Sequence, residues 1–240
     1  GQSVRPDVIL WSRDNKYRVI DDSCESAFVP GIATGDVSCF SMYASHIIQC
    51  GVGGIALTDD PQLAELIRSI ANHGRSGIYA GYDELGGKME VINARFNFER
   101  EGYSSRLTEF ELAIACAELD WLEENLRRRR ANAVYLSYEL KDLPLVLPKP
   151  VRDHSWMVYV VRAEDRDTRD RLVQHLESRG VQTRYAVPLL TQPYIRQLYD
   201  QAKFPNASLV NDTAFYVGCH PFLTEQDLES IVEGFRSFYR

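Results

Sequence analysis

The fold is decided by the stretch GIALTDDPQLAELIRSIANHG, residues 54–74. Its apolar start, Gly54–Leu57, is followed by turn-forming residues, which predicts a short buried strand. Asp60-Pro61 then supplies a helix N-cap and a proline at the first helical position. Apolar residues recur at helical spacing until His73-Gly74, where the helix is predicted to end. A strand followed directly by a helix indicates an α/β fold.

The same alternation extends along the chain. Tyr17–Ile20 and Val37–Met42 predict two further buried strands, so we expect a mostly parallel sheet in the N-terminal part. In the second half, a strand, a helix and a strand are predicted in turn, at 157–161, 167–180 and 181–187. The sequence thus predicts two α/β domains, residues 1–130 with a linking helix and residues 131–240.

Capping signals mark the linking helix and the last helix. Thr108 with Glu111 forms a capping box before a long amphipathic helix, and Thr224 caps the final helix together with Asp227. The basic run Arg127–Arg130 follows two glutamates at helical spacing. This pattern favours a solvated helix face over a phosphate site.

Composition restricts the classes of partner. Lys and Arg number 27 against 34 Asp and Glu, a net charge of -7, which argues against binding to nucleic acid or an anionic membrane surface. No apolar run is long enough to span a bilayer and no signal peptide is recognisable, so we expect a cytoplasmic protein. The 5 cysteines show no C-x-x-C spacing, and no metal site is predicted.

Three segments carry candidate chemistry. Asp21-Asp22 ends a predicted strand, where open α/β sheets bind ligands, although a turn acid would also fit. Ser41–His46 follows the next strand and leads into the glycine-rich loop Gly51–Gly54. A structural histidine is the alternative there. Gly102–Arg106 offers a phenol, two hydroxyls and a guanidinium, or forms only a polar turn before the helix.

Taken together, these segments resemble the DegT/DnrJ/StrS family of vitamin-B6-dependent sugar aminotransferases. The segments run in the family's order: Val19–Glu25 is similar to I-E-D-A-A-Q, Gly35–Ser41 to G-D-x-G-x-F-S, Gly51–Gly54 to G-E-G-G, Asn72–Gly74 to N-H-G, Gly102–Glu109 to G-Y-N-x-R-M-T-E, and Arg179–Arg184 to R-G-I-x-T-R. The resemblance implies the aspartate-aminotransferase fold (fold type I), here a partial large domain plus the small C-terminal domain. It also implies a homodimer with shared active sites. Family members extend further at the N-terminus, so we expect the C-terminal portion of a longer enzyme, with weak cofactor binding alone.

The resemblance also implies roles for individual residues. It places Asp22, Glu25, Ser41 and Ser104 at the cofactor and Tyr103, Arg106 and Arg184 at the substrate. An ionised Asp22 would keep the pyridine nitrogen of the cofactor protonated, and the Ser41 hydroxyl would hold its phosphate. Glu25 replaces the usual glutamine beside the ring. Ser104 replaces the asparagine that reaches the phosphate from the neighbouring subunit.

Position 46 departs from the aminotransferase pattern. The family's aminotransferases have there the lysine that binds the cofactor covalently, whereas this chain has His46 and no lysine in the loop. The same exchange marks a branch of sugar 3-dehydratases that act on nucleotide-linked 4-keto-6-deoxyhexoses. The resemblance therefore implies pyridoxamine phosphate held noncovalently, glutamate as a possible amino donor, and His46 as the base. A sugar aminotransferase and a noncatalytic paralogue that binds a nucleotide sugar stay open as alternatives.

Overall fold

The computed structural model describes residues 6–31, 34–75, 96–149, 153–186 and 189–240. The chain divides into two compact units, residues 2–122 and residues 123–240. The sequence predicts a domain boundary after residue 130. The division falls earlier, at the beginning of the second of two consecutive helices.

The described residues of the N-terminal unit form a three-stranded sheet and three helices. In chain order these are α1 (Pro6–Asp14), β1 (Ile20–Asp22), β2 (Val37–Ser41), β3 (Gly54–Leu57), α2 (Pro61–Ala71) and α3 (Glu109–Asp120). Strands β1 and β2 pair in parallel, whereas β2 and β3 pair antiparallel. The expectation of a mostly parallel sheet therefore holds for only one of these two pairings.

Strand β1 lies further along the chain than the predicted Tyr17–Ile20. The reason is Asp36, whose carboxylate accepts the backbone N–H of Val19 at 2.7 Å and pairs with Arg18 at 2.9 Å. A side chain thus takes the place of a strand partner just before β1. The expectation that all three strands are buried is wrong for β3, whose four residues are exposed, and for Ile20 and Asp22 of β1. Among the described residues, β2 is the only strand that pairs with β3.

The strand and helix ends follow the local signals. Asp60 caps α2 by accepting the N–H groups of Gln62 and Leu63, as the N-cap pattern predicts. The helix stops at Asn72, and His73 and Gly74 follow in the left-handed backbone region. A small core lies behind the sheet end, formed by Met42, Ile48, Cys50, Ala115 and Leu107.

The predicted long linking helix is two helices. The capping box of Thr108 and Glu111 begins α3 as predicted, but α3 stops before Trp121, and α4 runs from Leu122 to Leu140. The Trp121 N–H bonds to Glu118, three residues back, so the regular i→i−4 pattern is interrupted. Periodicity alone does not reveal such a break because the apolar spacing continues across it.

The basic run on α4 is only partly solvated. Glu124 accepts hydrogen bonds from Arg127 and Arg128. These two bonds, with that from Arg127 the stronger influence, lower the pKa of the Glu124 carboxyl to about 2. Arg129 instead is buried, with 2% of its surface exposed. Its guanidinium donates to the carbonyls of Trp156, Met157 and Cys219. The expectation of a solvated face is therefore wrong for Arg129, which the fold turns inward to satisfy buried backbone carbonyls.

The C-terminal unit is a second α/β domain with an antiparallel sheet. Its further elements are β4 (Val158–Arg162), α5 (Arg166–Ser178), β5 (Thr183–Tyr185), α6 (Pro193–Leu198), α7 (Pro205–Thr213), β6 (Ala214–Gly218) and α8 (Glu225–Phe238). The sheet order is β4-β6-β5, with the unpredicted β6 in the centre. Helices α4, α5 and α8 bury their apolar residues in the core of this unit. In the described parts of the chain, no helix has the length and apolar character needed to cross a membrane.

Candidate active site

Asp22 and Ser41 lie at the same edge of the N-terminal sheet. β1 and β2 run parallel, with Asp22 opposite Cys39, and Ser41 ends β2 two residues later. The carboxyl ends of parallel strands meet at one edge, which is where α/β sheets bind ligands. The structure therefore brings a carboxylate and a hydroxyl to one sheet edge.

The two adjacent aspartates point to opposite faces of β1. Asp21 is buried, with its Oδ2 accepting the hydroxyl of Ser23 at 2.9 Å and that of Ser38 at 3.5 Å, whereas Asp22 is exposed. The alternation of side chains along a strand causes this division. Asp22 is consequently the member of the pair that a ligand at the sheet edge can reach.

The turn after β1 orients Asp22. Its Oδ1 accepts the backbone N–H of Cys24 at 3.1 Å, which leaves the second carboxylate oxygen for a ligand. Burial and then the Asp22 carboxylate raise the pKa of the Cys24 thiol to about 12, so the thiol stays protonated beside it. Glu25 is exposed on the same turn.

Ser41 begins a tight turn that also carries His46. The Ser41 Oγ accepts the N–H of Tyr43 at 3.1 Å, so its own proton can be donated outward. The Tyr43 carbonyl accepts the N–H of His46 at 2.9 Å, and the two rings meet edge to face with centroids 6.3 Å apart. One turn thus presents a hydroxyl and an imidazole.

The His46 imidazole has an unsatisfied nitrogen. The ring is half-buried, and its Nδ1 has no hydrogen-bond partner among the described residues although it is shielded from solvent. Buried polar atoms in folded proteins are nearly always hydrogen-bonded. Such an atom, close in sequence to Ser41 and the sheet edge, points to a group that the polypeptide described here does not supply.

A second cluster joins Tyr103, Ser104 and Arg106 to the end of α2. The Arg106 guanidinium donates to Oδ1 of Asn72 and to Oγ of Ser104, the latter at 3.1 Å. Backbone hydrogen bonds fix the segment, from His73 N–H to the Tyr103 carbonyl at 2.8 Å and from Tyr103 N–H to the Ile70 carbonyl at 2.7 Å. Asn72 is not among the site residues that the sequence predicts. Its position in the N-H-G motif is the feature of the sequence that could have identified it.

Two glycines allow this close backbone crossing. A Cβ on Gly74 would lie 1.8 Å from the Arg100 carbonyl oxygen, and a Cβ on Gly102 would lie 2.1 Å from the Gly74 nitrogen. No other residue type fits either position without backbone movement. The motifs N-H-G and G-Y therefore mark the contact that holds the Tyr103–Arg106 segment against α2.

Arg184 and His220 belong to the C-terminal unit. Arg184 is exposed on β5, and its guanidinium donates to the Thr183 carbonyl at 2.7 Å. Partial desolvation and, second, the positive charge of Arg129 lower the pKa of His220, whose side chain is exposed at its surface. A surface cleft of about 490 Å³ in this unit contains none of the predicted site residues; it is lined by Arg166, Thr191, Arg196, Tyr199, Asp200 and Gln201.

Two curated proteins are similar to the chain over most of its length. It is 27% identical over 225 residues to the lipopolysaccharide biosynthesis protein RfbH of Salmonella typhimurium, with 85% of this chain and 52% of that protein covered. It is 29% identical over 251 residues to dTDP-4-dehydro-2,6-dideoxy-D-glucose 3-dehydratase of Saccharopolyspora spinosa, with 95% of this chain and 54% of the enzyme covered. The chain thus spans about half the length of the curated relatives it matches.

Solved structures show the same fold. The crystal structure of DesV from S. venezuelae matches 99% of this chain and 62% of that chain, with a TM-score of 0.81 and 25% identity. The fold is therefore that of the fold type I, vitamin-B6-dependent aminotransferases, with part of the large domain present. The family described as DegT/DnrJ/EryC1/StrS aminotransferases matches residues 15–236. On these grounds, the chain belongs to the DegT/DnrJ/EryC1/StrS aminotransferase family.

Proposed function

We propose that this chain is the cofactor-binding and base-bearing part of a sugar 3-dehydratase. The substrate would be a nucleotide-linked 4-keto-6-deoxyhexose, and the cofactor pyridoxamine phosphate. The observation that carries the proposal is His46, which stands in the turn after Ser41 with a buried Nδ1 that no described residue satisfies. The 29% identity to an enzyme named as a 3-dehydratase supports the same reaction class.

The residues at the sheet edge fit the cofactor. Asp22 offers an exposed carboxylate oxygen to a protonated pyridine nitrogen, and Ser41 offers a hydroxyl proton to a phosphate oxygen. When bound, pyridoxamine phosphate supplies an amine that reacts with a keto group and a ring that accepts electrons. The net charge of -7 does not oppose this, because a phosphate is held by local donors rather than by the field of the whole chain.

His46 would act as the base. An imidazole cannot bind the cofactor covalently as a lysine does, but it takes up and returns a proton near neutral pH. A ring nitrogen of His46 would take up the proton that is released in the reaction and would give it to the 3-hydroxyl of the sugar, which leaves as water. The backbone hydrogen bond from the His46 N–H to the Tyr43 carbonyl fixes the backbone position from which the imidazole extends.

The Tyr103–Arg106 segment would bind the substrate. Arg106 is exposed and holds Ser104 and Asn72, so its positive charge is positioned by two hydrogen bonds and remains accessible to an anionic diphosphate. Tyr103 is also exposed, with its backbone fixed at both ends. Arg184 stays a proposed substrate contact from the C-terminal unit.

The predicted homodimer has support from helix α3. The helix has apolar side chains around much of its surface, including Phe110 with 74% and Leu112 with 46% exposed, and Trp121 at its end is 64% exposed. A soluble chain that exposes so many large apolar residues on one helix commonly buries them against a partner. A second subunit is one such partner. The cytoplasmic location stays a prediction.

The alternative is a sugar aminotransferase with glutamate as amino donor. It is favoured by the family description and by the similarity to the DesV structure. The two reactions differ in the need for a lysine that holds the cofactor covalently. The 5 lysines of this chain, Lys16, Lys88, Lys141, Lys149 and Lys203, all lie outside the Ser41–His46 turn.

The test uses the full-length protein with pyridoxal phosphate, glutamate and a nucleotide-linked 4-keto-6-deoxyhexose. We expect mass spectrometry to show loss of one water from the sugar in the wild type. His46→Asn should retain cofactor absorbance and lose at least about 100-fold in rate, the usual contribution of a general base. His175→Asn is the matched control, because His175 bonds to Ser237 within the C-terminal unit.

Three outcomes would contradict the proposal. A dehydration rate in His46→Asn equal to that of the wild type would exclude His46 as the base. A cofactor band in the wild type that borohydride fixes covalently to the protein would show that an amine of the enzyme holds the cofactor. Transfer of an amino group to the sugar, with no loss of water, would establish the aminotransferase alternative.

A further inference from the structure

Tyr43 contacts both functional groups of the turn after β2. Its N–H donates to Ser41 Oγ at 3.1 Å, and its carbonyl accepts the N–H of His46 at 2.9 Å. Its ring meets the His46 ring at an interplanar angle of 71°. A single residue therefore connects the predicted phosphate-binding hydroxyl to the predicted base.

The His46 ring needs such a contact. A histidine that acts as a base is usually oriented by a hydrogen bond from its second nitrogen to a carboxylate or carbonyl. No described residue provides that bond to Nδ1 of His46. The backbone bond to Tyr43 fixes the main chain but leaves rotation about the side-chain bonds, and the edge-to-face contact with the Tyr43 ring restricts this rotation.

We propose that Tyr43 is a positioning residue for His46, and this inference rests on the proposed function. The aromatic ring provides the orientation, because the ring is the part of the side chain that meets the imidazole. An edge-to-face aromatic pair changes a conformational equilibrium by about 2- to 12-fold. Tyr43→Ala should therefore lower kcat by about that factor and leave KM near its wild-type value.

The conservative variant distinguishes ring from hydroxyl. Tyr43→Phe retains the ring contact and should keep wild-type kcat, whereas Tyr43→Ala should not. The backbone hydrogen bonds from residue 43 are available to both variants. The Tyr43 side chain is 54% exposed, so its truncation leaves no buried cavity and both variants are expected to fold.

The contact itself is tested without cofactor by NMR of the full chain. The signals of the His46 ring protons are assigned by their absence in His46→Asn. Their chemical shifts should change in Tyr43→Ala, because the ring current of Tyr43 is lost, and should be unchanged in Tyr43→Phe. Unchanged His46 signals in Tyr43→Ala, or an unchanged kcat, would overturn the positioning role. A wild-type enzyme without dehydratase activity would instead refute the proposed function, so the two failures are separable.

Discussion

Gly102→Ala would place a methyl group where the backbone of Gly74 lies. The added Cβ would be 2.1 Å from the Gly74 nitrogen and 2.5 Å from the His73 carbonyl carbon, both of which are backbone atoms that cannot rotate away. Ordinary van der Waals contact begins at 3.4 Å, so the two segments must separate by more than 1 Å. This separation would break the hydrogen bonds that Tyr103 makes to Ile70 and His73.

The expected cost follows from these two effects. Two backbone hydrogen bonds contribute about 1 kcal/mol each, and forced overpacking costs about 1–3 kcal/mol. We therefore expect Gly102→Ala to lower the free energy of unfolding of the N-terminal unit by about 3–5 kcal/mol. The assay is urea unfolding of the full chain, with hydrogen exchange of the Tyr103 and Ser105 amides read by mass spectrometry.

Gly218→Ala is the matched control. A Cβ there meets only the His220 Cδ2 atom at 3.6 Å, an ordinary contact, so the variant should unfold as the wild type does. If Gly102→Ala unfolds at the same urea concentration as Gly218→Ala, with the Tyr103 amide still protected, the close crossing of residues 74 and 102 does not exist in solution. The structural explanation of the N-H-G and G-Y motifs would then be wrong.

Two further predictions concern the C-terminal unit. Arg129→Met should lower the free energy of unfolding by about 3 kcal/mol, because three buried carbonyls lose a charged donor. Arg127→Ala, on the exposed face of the helix, should change the free energy of unfolding by less than about 1 kcal/mol. Urea unfolding of each variant checks this. His220 has its pKa lowered by partial desolvation, so the unfolded state binds the proton more readily and stability should fall as pH falls below 6.5. His220→Gln should lessen this fall in thermal unfolding scanned from pH 7.5 to 5, and an unchanged slope would contradict it.

Local signals predicted much of the secondary structure. The helix start at Asp60, the capping box at Thr108 and the strand Gly54–Leu57 all depend on neighbours within four residues, and the structure has them where predicted. The sheet-edge placement of Asp22 and Ser41 follows in the same way from two strands and their carboxyl ends. Other features depended on distant residues and could not be read from spacing.

The clearest of the features that depend on distant residues is whether an individual side chain points into the core or toward solvent. Strand alternation requires adjacent aspartates to face opposite sides, but only the pairing of β1 with β2 decides that Ser38 lies beside Asp21 and that Asp22 remains exposed. In the same way, the burial of Arg129 depends on carbonyls of residues 156 and 219, far away in sequence. Sequence spacing gives no information on such partners.

The sequence by itself determined the α/β class, the helix caps, the family resemblance and the histidine at position 46. These depend on residue type and short-range spacing, which act within a turn or a strand. The tertiary structure decided which aspartate is exposed, why residues 74 and 102 must be glycine, and which nitrogen of His46 has no partner in the part of the chain that the structure describes. Those properties arise only when segments distant in the chain pack together, because burial and steric exclusion are set by neighbours in space.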